Sequence, residues 1–125
     1  MNLDLNLEKN LGLGFLKKHG LDKIQIEQVF KTNQRFSSKH LFFLFRKNQI
    51  NHPRICFILA KKKTKSAVQR NLIRRLAKEF FRLAQHDLPS FDVVLLTNMQ
   101  TKKASKQEFK ICLKDFFEFL KKQKI

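Results

Sequence analysis

The sequence is poor in acidic side chains, and it contains neither Trp nor Tyr. Ten Asp and Glu residues stand against 27 Lys and Arg residues, which gives a formal net charge of +17 at pH 7. Self-repulsion of this size destabilises a compact chain, and a polyanionic partner relieves it. Nucleic acid is therefore the first class of partner to consider, and an anionic membrane surface is the second.

Long apolar runs and paired cysteines are also missing. No apolar run approaches the roughly 20 residues that a membrane-spanning helix needs, and we expect no signal peptide, because no apolar stretch near the start precedes a small-residue cleavage site. Cys56 and Cys112 stand alone in apolar runs, without metal-ligand spacing. We interpret them as small core residues and not as a disulfide, which fits the reducing cytosol and predicts a cytoplasmic protein.

Candidate catalytic groups are sparse. A two-metal nuclease site needs a cluster of acids, but Asp87 and Asp92 have no third carboxylate nearby in the sequence. The histidines are scattered without evident acid partners, so we interpret them as surface or turn residues: His19, His40, His52 and His86. The sequence predicts no catalytic residue, no protein-bound metal and no organic cofactor.

The apolar pattern predicts one domain with one core. The chain has 125 residues, 42% of them hydrophobic, and 14 are Phe. A helix after Asp22 is followed by strands over 41–45 and 55–59, a helix over 66–85, a strand over 91–96 and a helix opened by Ser105 and Glu108. We predict an α/β single-domain α-β sandwich over residues 21–125, of order α-β-β-(β)-α-β-α. Residues 1–20 are predicted to be a poorly ordered N-terminal extension.

The positive charge is concentrated in the middle of the chain. Residues 61–82 hold nine basic side chains and one acid, nine minus one or net +8. On a helix of about 100° per residue these side chains share one side: Arg70, Asn71, Arg74, Arg75, Lys78 and Arg82. The other side is apolar: Leu72, Ile73, Leu76, Phe80, Leu83 and Ala84.

This charge pattern predicts RNA binding. A helix face that is merely solvated mixes signs and places Glu to pair with Lys, whereas here Glu79 is the only acid. Arg forks can hold phosphate oxygens through two hydrogen bonds. Helix N-termini also favour anions, so the lysines before the helix should join the same site: Lys61, Lys62, Lys63 and Lys65.

The stretch AKKKTKSAVQRNLIRRLAKEFFR resembles the signature of the bacterial ribonuclease P protein component. In that family a strand ends in Lys-Lys, a basic loop follows, and a helix opens with Arg-Asn-Arg, then a Lys/Arg-Arg pair, then Glu. The matching residues here are Lys61, Lys62, Arg70, Asn71, Arg74, Arg75 and Glu79. His52-Pro53-Arg54-Ile55 and Leu88-Pro89 extend the likeness to residues 21–120. Leu72 departs from it, because the family usually has the second Arg of Arg-Asn-Arg at that position.

The resemblance implies a protein subunit that assists a catalytic RNA in removing the 5′ leader of precursor tRNA. It implies that the RNA subunit holds Mg²⁺ and carries the catalysis, and that the protein alone is a monomer. It also implies a left-handed βαβ crossover, where general rules predict a right-handed one. A cleft between the first helix and the sheet would receive the leader through Ile26 and Phe30 and through Phe43 or Leu44. The alternative is that these side chains belong to the core, because a Phe at helical or strand spacing is usually a core residue.

Three other functions are compatible with a basic chain. A ribosomal or RNA-chaperone protein would share the charge but not the combined Lys-Lys and Arg-Asn motifs. A self-sufficient nuclease would need the missing acid cluster. A membrane-surface protein would need a basic helix with Trp and a larger apolar face.

Overall fold

A computed structural model describes residues 20–32 and 34–123. Within them the chain forms three helices and four strands: α1 (Lys23–Phe30), β1 (Arg35–Ser37), β2 (Leu41–Lys47), β3 (Arg54–Ile58), α2 (Ala67–Ala84), β4 (Phe91–Thr97) and α3 (Lys106–Lys121). Single 3-10 turns cover Lys61–Lys63 and Thr101–Lys103. The predicted order of helices and strands is confirmed, with three strands before α2. The additional strand is β1, which precedes the two strands predicted over 41–45 and 55–59 and does not follow them. The extension predicted for residues 1–20 lies outside the described residues except for Gly20.

The four strands form one sheet in the order β1-β2-β4-β3. Strand β2 runs antiparallel to both β1 and β4, with Leu41 opposite Thr97 and Lys47 opposite Phe91. Strand β3 pairs with β4 in parallel, so α2 is the crossover between them. The predicted βαβ unit is therefore confirmed, and its left-handed sense stays a prediction.

The sheet separates two apolar clusters. Helices α2 and α3 cover one face, where Phe43 of β2 stacks on Phe116 of α3 with ring centroids 4.0 Å apart. Helix α1 covers the other face, where Ile26 and Val29 pack with Cys56, Val94 and Leu96. Because both faces are covered, all seven residues of β4 are buried. Cys56 and Cys112 are buried free thiols, as predicted.

Side-chain caps fix where the helices begin. Asp22 and Gln25 form a capping box at α1, and Ser105 and Glu108 form another at α3. Ser66 caps α2 because its side-chain oxygen accepts a hydrogen bond from the backbone N–H of Gln69. Each cap satisfies backbone N–H groups that the helix leaves without partners, so these starts are encoded locally, as the capping-box spacing at Ser105 predicted.

Asp92 forms the main buried ion pair of the sheet. Its carboxylate accepts hydrogen bonds from Nε and Nη2 of Arg54, each 2.8 Å long, and from Nδ2 of Asn48, also 2.8 Å. Asp92 is only 3% exposed, and a buried carboxylate needs such partners. Asp92 therefore has a structural role, joining the start of β3 to β4 and to the β2–β3 connection.

Candidate RNA-binding surface

The six polar side chains predicted to share one side of α2 all lie on its outer surface, which we call the basic face. Asn71 and Arg75 are exposed, and the other four are half-buried: Arg70, Arg74, Lys78 and Arg82. The opposite side packs on the sheet and α3 through Ile73 and Leu76. A continuous apolar stripe therefore orients the cations outward.

The predicted apolar side of α2 was wrong at one position and incomplete at two. Leu83 is 67% exposed, whereas Ala77 and Phe81 are buried, at 0% and 1% exposure. The helix is rotated about its axis so that its buried stripe is centred nearer Ala77. Leu72 is half-buried and packs against the core, as the helical wheel indicated.

Cations crowd one another on the basic face. Partial burial lowers the pKa of the Lys78 ammonium, and the positive charge of Arg74 lowers that pKa further. At Arg82 the effect is opposite, because the guanidinium donates hydrogen bonds to the Glu79 carboxylate, and these bonds and the negative charge of Glu79 raise the pKa of Arg82. Bringing a phosphate to this face would relieve the repulsion between Arg74 and Lys78.

The basic loop Lys61–Lys65 is attached to the first turn of α2. Nη1 of Arg70 donates to Oγ1 of Thr64 at 2.8 Å, and the backbone N–H of Lys65 donates to Oε1 of Gln69 at 2.7 Å. Three of the four loop lysines are exposed and Lys63 is half-buried. These bonds bring the predicted loop lysines beside the N-terminus of α2.

Gln69 was missed in the sequence, and it connects three segments. It is 8% exposed, and its Nε2 donates to the carbonyl oxygens of Thr101 and Lys102, at 3.1 Å and 3.4 Å. The exposed pair Lys102 and Lys103 thereby lies beside the start of α2. Gln69 and Thr101 are 32 residues apart in the chain, so no local pattern indicates this contact.

The predicted leader cleft needs two corrections. Ile26 is 0% exposed because it packs between α1 and the sheet, and Phe43 is 0% exposed on the opposite sheet face. Alternation along β2 instead directs Phe42 and Leu44 toward α1, where both are half-buried, as is Phe30.

A cation that the sequence did not single out lies beside these half-buried side chains. The guanidinium carbon of Arg35 lies 4.1 Å from the centroid of the Phe42 ring. Arg35 faces Leu44 across the β1–β2 pair, so a positive charge and two apolar side chains are adjacent here.

One histidine does not fit the expected surface or turn position. His40 is 5% exposed, and its Nε2 lies 3.3 Å from Oε2 of Glu108. Glu108 is thus an acid partner of His40 that the sequence did not indicate, and Nδ1 of His40 lies 3.9 Å from Sγ of Cys112. His86 is exposed and His52 half-buried, and His19 lies outside the described residues.

Across residues 20–32 and 34–123, no three His, Cys, Asp or Glu side chains converge as ligands for a metal ion. In the same part of the chain, no helix is long and apolar enough to cross a membrane.

Comparison with known proteins assigns the family. The family model described as Ribonuclease P matches residues 15–122. The ribonuclease P protein component of Coxiella burnetii is 30% identical over 99 residues, which cover 79% of this chain and 82% of that protein. The ribonuclease P protein component of Proteus mirabilis is 52% identical over 68 residues. That match spans only 57% of the Proteus protein and 54% of this chain.

Solved structures share the fold. The Staphylococcus aureus RNase P protein superposes with a TM-score of 0.73 at 17% identity, covering 81% of this chain and 94% of that one. The Thermotoga maritima RNase P protein superposes with a TM-score of 0.62 at 23% identity, covering 80% and 92%. Because the family model matches residues 15–122, most of the 125 residues, this chain belongs to the ribonuclease P protein family.

Proposed function

We propose that this chain is the protein subunit of ribonuclease P and that it assists removal of the 5′ leader from precursor tRNA. The observation that carries the proposal is the continuous basic surface of α2 and the basic loop. The loop is hydrogen-bonded to the helix through Arg70 and Gln69, so its lysines and the helix cations are positioned together before any RNA arrives. Preorganised cations lose less conformational entropy on binding.

In this proposal the RNA subunit carries out the cleavage. The oxygens of Asp92 already accept three hydrogen bonds from Arg54 and Asn48, so that carboxylate is occupied structurally. Mg²⁺ would be held mainly by RNA phosphates. The protein would hold the RNA through Arg forks and lysines and would neutralise phosphates near the substrate. We further propose that the protein is a monomer until it binds RNA in the cytoplasm.

The corrected cleft is the proposed site for the single-stranded leader. Phe30, Phe42 and Leu44 offer partly exposed apolar surface, and Arg35 adds a cation at its edge. Stacking of a base on an aromatic ring contributes about 1–3 kcal/mol and tolerates any base. This tolerance suits a leader whose sequence varies among substrates.

The proposal is tested by recovering the RNA bound to the tagged chain in cells and sequencing it. We expect enrichment of the ribonuclease P RNA and of precursor tRNA, and loss of both when Arg74 and Arg75 are replaced by Ala. Replacing Lys23 of α1 and Lys31, the C-cap of that helix, by Gln is the matched control for recovery of the ribonuclease P RNA, because it removes the same charge from exposed positions on the side of the sheet away from α2. Recovery of mainly ribosomal RNA would instead favour a ribosomal or chaperone protein.

A further inference from the structure

A groove runs between α2 and α3, beside the basic face. It encloses about 560 Å³ and is lined by Arg75, Leu76, Glu79 and Phe80 of α2 and by Lys106 and Lys110 of α3. Two of its three cations therefore come from a helix that the sequence motif does not include. The groove is open along the outer surface of the protein, because Arg75 and Lys106 are both exposed.

The rim of the groove is positive. Glu79 is its one acid, and its carboxylate already accepts hydrogen bonds from Arg82. Among the residues that the structure describes, neither Lys106 nor Lys110 pairs with a carboxylate. Two ammonium groups and one guanidinium thus face the groove with only one acid, itself shared with Arg82, to offset them.

The floor of the groove is apolar and supported from below. Leu76 is buried, and Phe80 is half-buried. The Phe80 ring lies nearly parallel to that of Phe117, with centroids 6.4 Å apart and planes at 9°. A positive rim over an apolar floor suits a sugar–phosphate backbone, whose phosphates meet the cations while the sugars contact the floor.

We infer that the α2–α3 groove binds a second stretch of RNA backbone in the ribonuclease P RNA, with Lys106 and Lys110 as phosphate contacts. The inference rests on the proposed function and extends its surface from one helix to two. It also accounts for how this chain can bind RNA with Leu72 in place of a family Arg, because cations on α3 add contacts near the same helix.

The test measures the affinity of the full chain for the cognate RNA subunit, without substrate, as the salt concentration rises. Each phosphate contact adds about 0.7–0.9 to the slope of log K against log salt. Replacing Lys106 and Lys110 by Gln should therefore make that slope shallower by about 1.4–1.8. Between 50 and 200 mM salt, the variant should lose about tenfold less affinity than the unmodified chain does.

Two control variants separate the groove from net charge and from folding. Replacing Lys106 and Lys110 by Arg keeps both charges and should keep the slope. Replacing Lys23 of α1 and Lys31, the C-cap of that helix, by Gln removes the same charge from the other side of the sheet and should also leave the slope unchanged. The inference would be overturned if the Gln variant of Lys106 and Lys110 kept the slope of the unmodified chain. It would also be overturned if the Lys23 and Lys31 control, or the Arg variant, made the slope as shallow as the Gln variant does.

A third variant distinguishes failure of this inference from failure of the proposed function. Replacing Arg74 and Lys78 by Gln alters the basic face outside the groove lining. If only this variant weakens RNA binding, the groove inference fails and the proposed function stands. If no variant changes binding to the RNA, both fail. Binding of a polyglutamate peptide that requires Lys106 and Lys110, with an unchanged RNA slope, would assign the groove to an acidic protein and overturn the inference.

Discussion

Replacing Arg54 by Met should destabilise the fold by leaving the buried carboxylate of Asp92 without its cation. Asp92 is 3% exposed and would keep only its 2.8 Å hydrogen bond from Asn48. Removing one partner of a buried ion pair costs about 3–5 kcal/mol. The Arg54 side chain is itself 13% exposed, so water can partly reach the site and the lower end, about 3 kcal/mol, is expected.

Urea unfolding followed by circular dichroism measures this loss. Domains of this size have unfolding free energies of about 5–15 kcal/mol, so the variant should still fold. With a slope of about 1.5–3 kcal/mol per molar urea, the midpoint should fall by about 1–2 M.

The double variant Arg54→Met with Asp92→Leu is the matched control. It removes both charges, and Asn48 keeps its hydrogen bond to the carbonyl oxygen of His52 at 3.1 Å. Apolar replacement of a whole buried pair is often neutral, so most of the lost stability should return. A loss below about 1 kcal/mol in the single variant, or an equal loss in the double variant, would refute the assignment of Asp92 as a buried, paired charge.

Three further results are expected. Leu72→Arg should steepen the salt dependence of RNA binding by about 0.7–0.9 and lower stability by about 1 kcal/mol, because half-buried apolar contact is lost; an unchanged salt dependence would count against the basic face. Replacing Arg74 and Arg75 by Ala should weaken RNA binding and change the free energy of unfolding by less than about 0.5 kcal/mol, and a large drop in melting temperature would instead make them structural. The hydrogen bond that the Ser105 backbone N–H donates to the Glu108 carboxylate lowers the pKa of Glu108, and the nearby Ser105 hydroxyl lowers it further. Glu108 therefore stabilises the fold above its ordinary pKa of 4.5, and this contribution disappears as the pH falls through the lowered value. Glu108→Gln should accordingly be less stable than the unmodified chain at pH 7 and equal to it in acid, and a pH-independent difference in melting temperature would contradict this.

The helices and the element order followed from local features of the sequence. Ser105 caps α3 as its capping-box spacing with Glu108 indicated, and the opposed cations and apolar residues of α2 placed the six polar side chains on the outer surface of that helix. Local patterns could not orient β2, because Leu41 to Phe45 is apolar throughout and contains no polar residue to mark the outer side. From the sequence alone, Phe43 and Leu44 were therefore equivalent candidates for contacting the leader. The positions of α1 and α3 show that Leu44 faces α1 and that Phe43 faces α3.

Contacts between distant segments account for the remaining differences. His40 meets Glu108 and Cys112 only because α3 packs beside the start of β2. Phe81 is buried in the cluster that the sheet, α2 and α3 share, whereas Leu83 is exposed. Such pairings depend on tertiary packing, which helical or strand periodicity in one segment does not encode.

The most direct test of the central claim is reconstitution with the cognate RNA subunit. Cleavage of precursor tRNA is measured at low magnesium as the purified chain is added, with the chain alone as control. We predict that cleavage at the 5′ end of the mature tRNA increases with added chain, that the increase is lost when Arg74 and Arg75 are replaced by Ala, and that the chain alone leaves the substrate intact. An RNA subunit whose cleavage rate is the same with and without the chain would contradict the proposed function.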